Sequence, residues 1–145
     1  MEKINLSEFK HITDISVRFM DIDALQHVNN ARYLNYLEEA RISYSKQILG
    51  LFEKLDEFNV LVARVEIDFM RPILYNSQVK IYTRVPKVGN KSFTFESIIC
   101  VEHKEETQMV SRAVQTLVTF NSKTNKSIPV PEELKKKVLK YEGHL

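Results

Sequence analysis

Asp21 and Asp23 stand a few residues ahead of His27, Asn29 and Asn30, and helical spacing of apolar residues begins immediately afterwards. That order of residue types has a chemical use. A helix N-terminus carries unpaired backbone N–H groups and the positive end of the helix dipole, which together suit a developing oxyanion. A carboxylate beside it can attack a carbonyl as a nucleophile or take a proton from water as a general base. Acidic residues near helix starts also serve as plain capping groups, so the pattern leaves capping and catalysis both open.

Other chemistries find little support. His11, His27, His103 and His144 show no metal-ligand spacing, and a chain with three glycines has no Walker-type or dinucleotide loop. No metal and no redox cofactor is expected. The single cysteine, Cys100, excludes an internal disulfide and reads as a small buried hydrophobe.

The elements that must hold the acidic stretch follow from periodicity. His11 to Met20 alternates Ile12, Ile15, Val17 and Phe19 with polar neighbours, predicting a strand that ends at Asp21. Asn29 or Asn30 is a suitable N-cap. From Asn30 to about Leu49 the residues Tyr33, Leu37, Ala40, Tyr44 and Ile48 mark one buried helical face, with Leu34 and Tyr36 beside it and Gly50 as the stop. Arg41 projects into that apolar stripe and needs an acceptor, for which Glu38 is the nearest candidate.

After a mixed stretch from Leu51 to Asn59, read as a short helix or loop, the period becomes two. Leu61, Ala63, Val65, Ile67 and Phe69 share one strand face and Arg64, Glu66 and Asp68 the other. Tyr75-Asn76-Ser77 is a turn. Val79, Ile81, Thr83 and Val85 define a further strand, Val88-Gly89-Asn90-Lys91 a hairpin turn, and Phe93, Phe95, Ile99 and Val101 the inward face of the next strand. Met109 to Phe120 is a strand with apolar residues on both faces, so both need cover; one face can be spent on the helix and the other on a second subunit. A short helix starts at Pro131, with Lys135 to Lys137 on a solvated face. The sum is one domain over residues 1–145, of α+β class: a strand, one long helix and then four strands in antiparallel meander, packed as a curved antiparallel sheet around the helix.

Composition agrees with such a domain. Of 145 residues 43% are hydrophobic and 28% charged, near globular averages. A formal charge of +2 is too small to indicate nucleic acid as a partner. No apolar run reaches bilayer-spanning length, and the start, Met-Glu-Lys-Ile-Asn-Leu-Ser-Glu, lacks the features of a signal peptide. A cytoplasmic protein is expected.

The run Asp21-x-Asp23-x-x-x-His27-Val28-Asn29-Asn30-x-x-Tyr33-x-x-Tyr36-x-Glu38-x-Ala40-Arg41 resembles the signature of the hot-dog-fold acyl-CoA thioesterases, the 4-hydroxybenzoyl-CoA thioesterase-like family. Ile67-Asp68-Phe69-x-x-Pro72-Ile73-x-Tyr75, Val88-Gly89-x-x-Ser92, Val118-x-Phe120 and Ile128-Pro129 are also similar to that family, so the likeness spans nearly the whole chain. It implies a hot-dog fold of five or six strands wrapped around one helix, assembled as a homodimer or homotetramer.

It also implies hydrolysis of an acyl-CoA, or of an acyl group on acyl carrier protein, to a free acid. Asp23 matches the family's catalytic aspartate, as nucleophile or general base, and Asp21 a position that structures the loop. Backbone N–H groups around Asn29 and Asn30 would polarise the thioester oxygen, while His27 either orients the loop or moves a proton. Gln26 stands where the family often has glycine, which permits positive φ or close approach of substrate. Its amide is a candidate contact for the acyl group or the lytic water. Tyr33 is a candidate pocket lining, and Arg84, Lys87 and Lys91 are candidates for the phosphates of coenzyme A. Two other readings share the fold. Enoyl-thioester hydratases place Asp and His at a spacing that Asp23-x-x-x-His27 does not fit, and a non-catalytic acyl-thioester binder is suggested mainly by Gln26.

Overall fold

A computed structural model describes residues 3–51 and 59–143. The period-two segments form one antiparallel sheet from β1 (His11–Ile15), β2 (Asn59–Phe69), β3 (Gln78–Val88), β4 (Ser92–His103), β5 (Glu106–Asn121) and the two-residue β6 (Lys126–Ser127). Strand order is β1-β3-β4-β5-β2, with β6 on β5. The meander therefore covers only β3, β4 and β5. β2 does not pair with the strand that follows it but lies at the far edge of the sheet, against β5. The reading of 52–58 as helix or loop falls outside the described residues.

One long helix, α1 (Asn30–Gln47), lies on the sheet. Asn29 is the N-cap, its Oδ1 accepting from the Ala31 N–H at 2.9 Å. Tyr33, Tyr36, Leu37, Ala40 and Tyr44 are all buried, and burial of each large apolar side chain contributes about 1.5–3 kcal/mol. The helix stops two residues before Leu49, where Gly50 at φ +63° and a bond from the Leu51 N–H to the Ser45 carbonyl turn the chain. The expected Arg41–Glu38 pair does not form. Glu38 is exposed, and Arg41 is half-buried with no ion pair among the described residues. Desolvation holds its guanidinium pKa below the ordinary value, and the distant Glu38 charge only partly opposes this.

Two expected strands change in the structure. β1 ends at Ile15, because Phe19–Asp21 is a 3-10 turn closed by the Asp21 N–H on the Arg18 carbonyl at 2.9 Å. In β2 the register shifts between Val62 and Arg64. Counting out from that bulge, Val60 and Val62 lie opposite the inward Thr119 and Leu117, whereas Leu61 lies opposite the outward Val118. Leu61 is therefore not on the inner face with Val65, Ile67 and Phe69, since the extra residue Ala63, which has no partner in the register, inverts the alternation. β2 is also poorly covered, with Leu61, Val62 and Phe69 exposed by 55%, 42% and 45%.

The outer face of the sheet is covered at one end by the chain itself. Ile4, Leu6 and Phe9 pack over Ile98, Cys100 and Met109, and burial pushes the Cys100 thiol up to about 12. β5 departs from its doubly apolar pattern as well, because Ser111, Gln115 and Thr119 are buried on its inner face. The second helix, α2 (Glu132–Glu142), closes the C-terminal end of α1. Its Val138 joins Tyr44, Leu49, Val85 and Phe93 in one cluster, and its Lys137, expected in solvent, donates to the Leu49 carbonyl at 3.1 Å. A separate cluster around Val28, Tyr33, Leu37, Ile73 and Ile99 packs the N-terminal half of α1.

Candidate active site

The segment from Asp21 to Asn29 is a narrow closed loop. The Asn29 N–H donates to the Asp21 carbonyl at 2.8 Å, Ile22 bridges Val28, and the Asp23 N–H donates to the His27 carbonyl at 3.0 Å. At its tip the Gln26 N–H returns to the Asp23 carbonyl at 3.0 Å. Closing so tight a turn puts Gln26 at φ +66°, a left-handed conformation that costs a non-glycine residue about 1–2 kcal/mol. The position where the family signature favours glycine thus has the backbone that glycine favours, and the glutamine adopts it with its side chain exposed.

Asp23 is half-exposed. Its Oδ1 accepts the Leu25 N–H at 2.9 Å, while Oδ2 takes no hydrogen bond among the described residues. Next to the loop, the Ala31 N–H is taken by Asn29 Oδ1 and the Arg32 N–H by the Asn29 carbonyl at 2.8 Å. The Asn30 N–H has no acceptor among the described residues. A carboxylate with a free oxygen and a free amide at a helix N-terminus are therefore carried by one loop and its adjoining helix start. His27 takes part in the loop through its carbonyl.

Asp21, by contrast, is sealed, with 0% exposure. Its Oδ2 accepts from the Tyr36 hydroxyl at 2.7 Å and the Arg18 N–H at 3.0 Å, and its Oδ1 accepts from Arg18 Nη2 at 2.9 Å and Nε at 3.3 Å. Arg32 Nε lies 3.8 Å away. Burial alone would push this carboxyl up, but the Arg18 and Tyr36 bonds outweigh it and hold the group below the usual carboxylate range. Arg18 was not among the expected site residues, and Tyr36 stood in the family signature as possible pocket lining rather than as a partner of Asp21. Only the i,i+3 spacing of Arg18 and Asp21 was visible in the chain; the Tyr36 contact spans 15 positions.

The other expected residues do not converge on Asp23 within one chain. Tyr33 is 2% exposed and edge-on to Phe69 at 5.0 Å, which places it in the core. Lys87 and Lys91 are exposed at the β3–β4 hairpin, beside the cluster that packs the C-terminal half of α1. Arg84 points to the outer face, where Nε and Nη2 bond Glu96 at 3.0 and 2.9 Å and Nη1 bonds Glu8 at 2.7 Å. An 810 Å³ cavity also lies on that outer face, between Phe9, Arg84, Glu96 and Arg112, and it is not the Asp23 site.

One helix held in a curled antiparallel sheet, with an acidic loop at the helix N-terminus, defines a hot-dog protein of the thioesterase type. Residues 17–138 match the model of the thioesterase-like superfamily. The chain belongs to that superfamily. It is 33% identical to the long-chain acyl-CoA thioesterase FadM of Escherichia coli K12, over 87% of this chain and 95% of that protein. A thioesterase of Thermus thermophilus, solved with coenzyme A and zinc, is 31% identical and superposes with a TM-score of 0.80 over 92% of this chain and 95% of its own. The probable thioesterase YbaW of Escherichia coli is 30% identical, with a TM-score of 0.77 over 88% and 95% of the two chains.

Proposed function

We infer that the protein hydrolyses the thioester bond of an acyl-CoA to a carboxylic acid and coenzyme A, with Asp23 as the catalytic carboxylate. The observation that carries this is the Oδ2 of Asp23, free among the described residues, in a loop that ends on the Asn30 N–H, which likewise has no acceptor among them. As a base, Asp23 takes a proton from water; the hydroxide adds to the carbonyl, the oxyanion is held by the Asn30 N–H, and collapse expels the thiolate. As a nucleophile, Asp23 forms an acyl anhydride with loss of thiolate, and water then releases the acid. Mass spectrometry on enzyme quenched during a single turnover separates the two, since only the second passes through an acyl group on Asp23.

Asp23→Asn should lower kcat by about two to four orders of magnitude in a protein that stays folded. An unchanged kcat would overturn the assignment. Acyl-CoA and acyl-carrier-protein substrates of equal chain length, compared by thiol release, decide the carrier.

The enzyme acts as a dimer through β2 in this reading. β2 is an 11-residue edge strand with exposed Val62 and Phe69, and such an edge is stable when paired. Lys87 and Lys91 would then reach coenzyme A only from a neighbouring protomer. Val62→Lys should move the sedimentation coefficient from dimer or tetramer towards monomer. No described helix is long and apolar enough to cross a membrane.

A further inference from the structure

Asp21 contributes two different things to the loop. Its main-chain carbonyl holds the N–H of Asn29, the residue that caps α1, at 2.8 Å. Its carboxylate, at 0% exposure, is tied to Tyr36 inside the helix and to Arg18 before the turn. The loop is thus closed at its root by one bond, and that root is attached to the second turn of the helix by another. An apolar side chain would fill the same space without the desolvation of a charge, so packing alone does not call for an ion here. Asp23 is two residues along the chain, and its N–H and carbonyl are both engaged within the same loop. A shift at the root therefore moves Asp23 relative to the Asn30 N–H.

We propose that Arg18, Asp21 and Tyr36 form a positioning clamp that sets the Asp23 carboxylate in register with the N-terminus of α1 for thioester hydrolysis. This rests on Asp23 being the catalytic group. None of the three reaches the reacting atoms; they act through the loop. Losing the clamp lowers kcat more than it raises KM, because substrate still binds while the carboxylate and the oxyanion site are misaligned.

The molecule supplies its own control. Tyr44, eight residues further along α1, donates its hydroxyl to the buried Glu142 at 2.6 Å, far from the acidic loop. The test is acyl-CoA hydrolysis, followed by thiol release, and thermal unfolding for Tyr36→Phe, Tyr44→Phe and Asp23→Asn. Tyr36→Phe is expected to lower kcat about tenfold with KM within about twofold, while Tyr44→Phe lowers Tm and keeps kcat within about twofold. Arg18→Gln, at an exposed side chain, should lose about threefold in kcat and Arg18→Lys should recover part of it, which keeps the test open if Tyr36→Phe folds poorly. Equal kcat losses in the two tyrosine variants, or wild-type kcat in both Tyr36→Phe and Arg18→Gln, overturn the clamp. If Asp23→Asn keeps full activity, the catalytic assignment itself fails; if it is inactive while the clamp variants are normal, only the clamp fails.

Discussion

Helix α1 buries two tyrosines against two carboxylates, and the two pairs do different work. Tyr36 bonds Asp21 at 2.7 Å and Tyr44 bonds Glu142 at 2.6 Å, about 12 Å apart along the axis. In each pair burial raises the tyrosine pKa, and the neighbouring carboxylate raises it further. At the C-terminal end the carboxylate comes from the last residue of α2 and also accepts the Val85 N–H at 2.8 Å, so the pair joins a helix, a strand and a second helix. At the N-terminal end the carboxylate belongs to the loop that carries Asp23. The same interaction is a tertiary lock in one place and, on the function proposed for Asp23, a mount for the reactive carboxylate in the other.

Glu142→Ala gives the largest effect on the C-terminal pair. It leaves the Tyr44 hydroxyl and the Val85 N–H buried without an acceptor and should cost about 3 kcal/mol in denaturant unfolding. Turnover per folded molecule should stay near wild type. A loss of turnover larger than that of Tyr36→Phe would break the division between the two ends.

Acid should separate the pairs next. His11 packs edge-on to Tyr44 at 5.4 Å, and burial lowers its pKa below the ordinary 6.5. The folded state thus favours the neutral ring, so its contribution is complete above 6.5 and is lost as pH falls below that value. Asp21 has its pKa lowered from 3.8, so its contribution persists to lower pH and is lost only as pH falls through the folded value. Hydrogen exchange from pH 7 downwards should show loosening around Tyr44 before Tyr36, and His11→Phe should remove the earlier phase. Simultaneous loosening would mean that the two ends are one cooperative unit.

The smallest effect sharpens the N-terminal side. Gln26→Gly relieves a strained φ and should raise stability by about 0.5–1 kcal/mol in thermal or denaturant unfolding. If stability falls instead, the glutamine side chain makes contacts that outweigh its backbone strain. A changed preference among acyl-chain lengths would place that side chain beside the substrate.

Much of this was legible before folding, and the residues show why. Asn29 as cap, the apolar face of α1 and the Val88–Lys91 turn depend on neighbours within a few positions, where residue type and period suffice. The Asp21–Asn30 stretch was visible for the same reason, since its chemistry is contiguous. Leu61 was misplaced because nothing local announces a bulge at Ala63; it is a property of the β2–β5 pairing. Arg84 read as a free cation until the fold brought Glu96 and Glu8 to it across 12 and 76 positions.

The sequence by itself determined the long helix with its cap, the strand-forming segments and the order of polar groups along one loop, because each arises from short-range sterics and periodicity. The tertiary structure decided that β2 takes the outer edge, that Tyr36 rather than Arg41 meets a carboxylate, and that Asp21 is sealed while Asp23 is left open. Those outcomes depend on which distant surfaces meet and exclude water, and that is settled only when the whole chain packs.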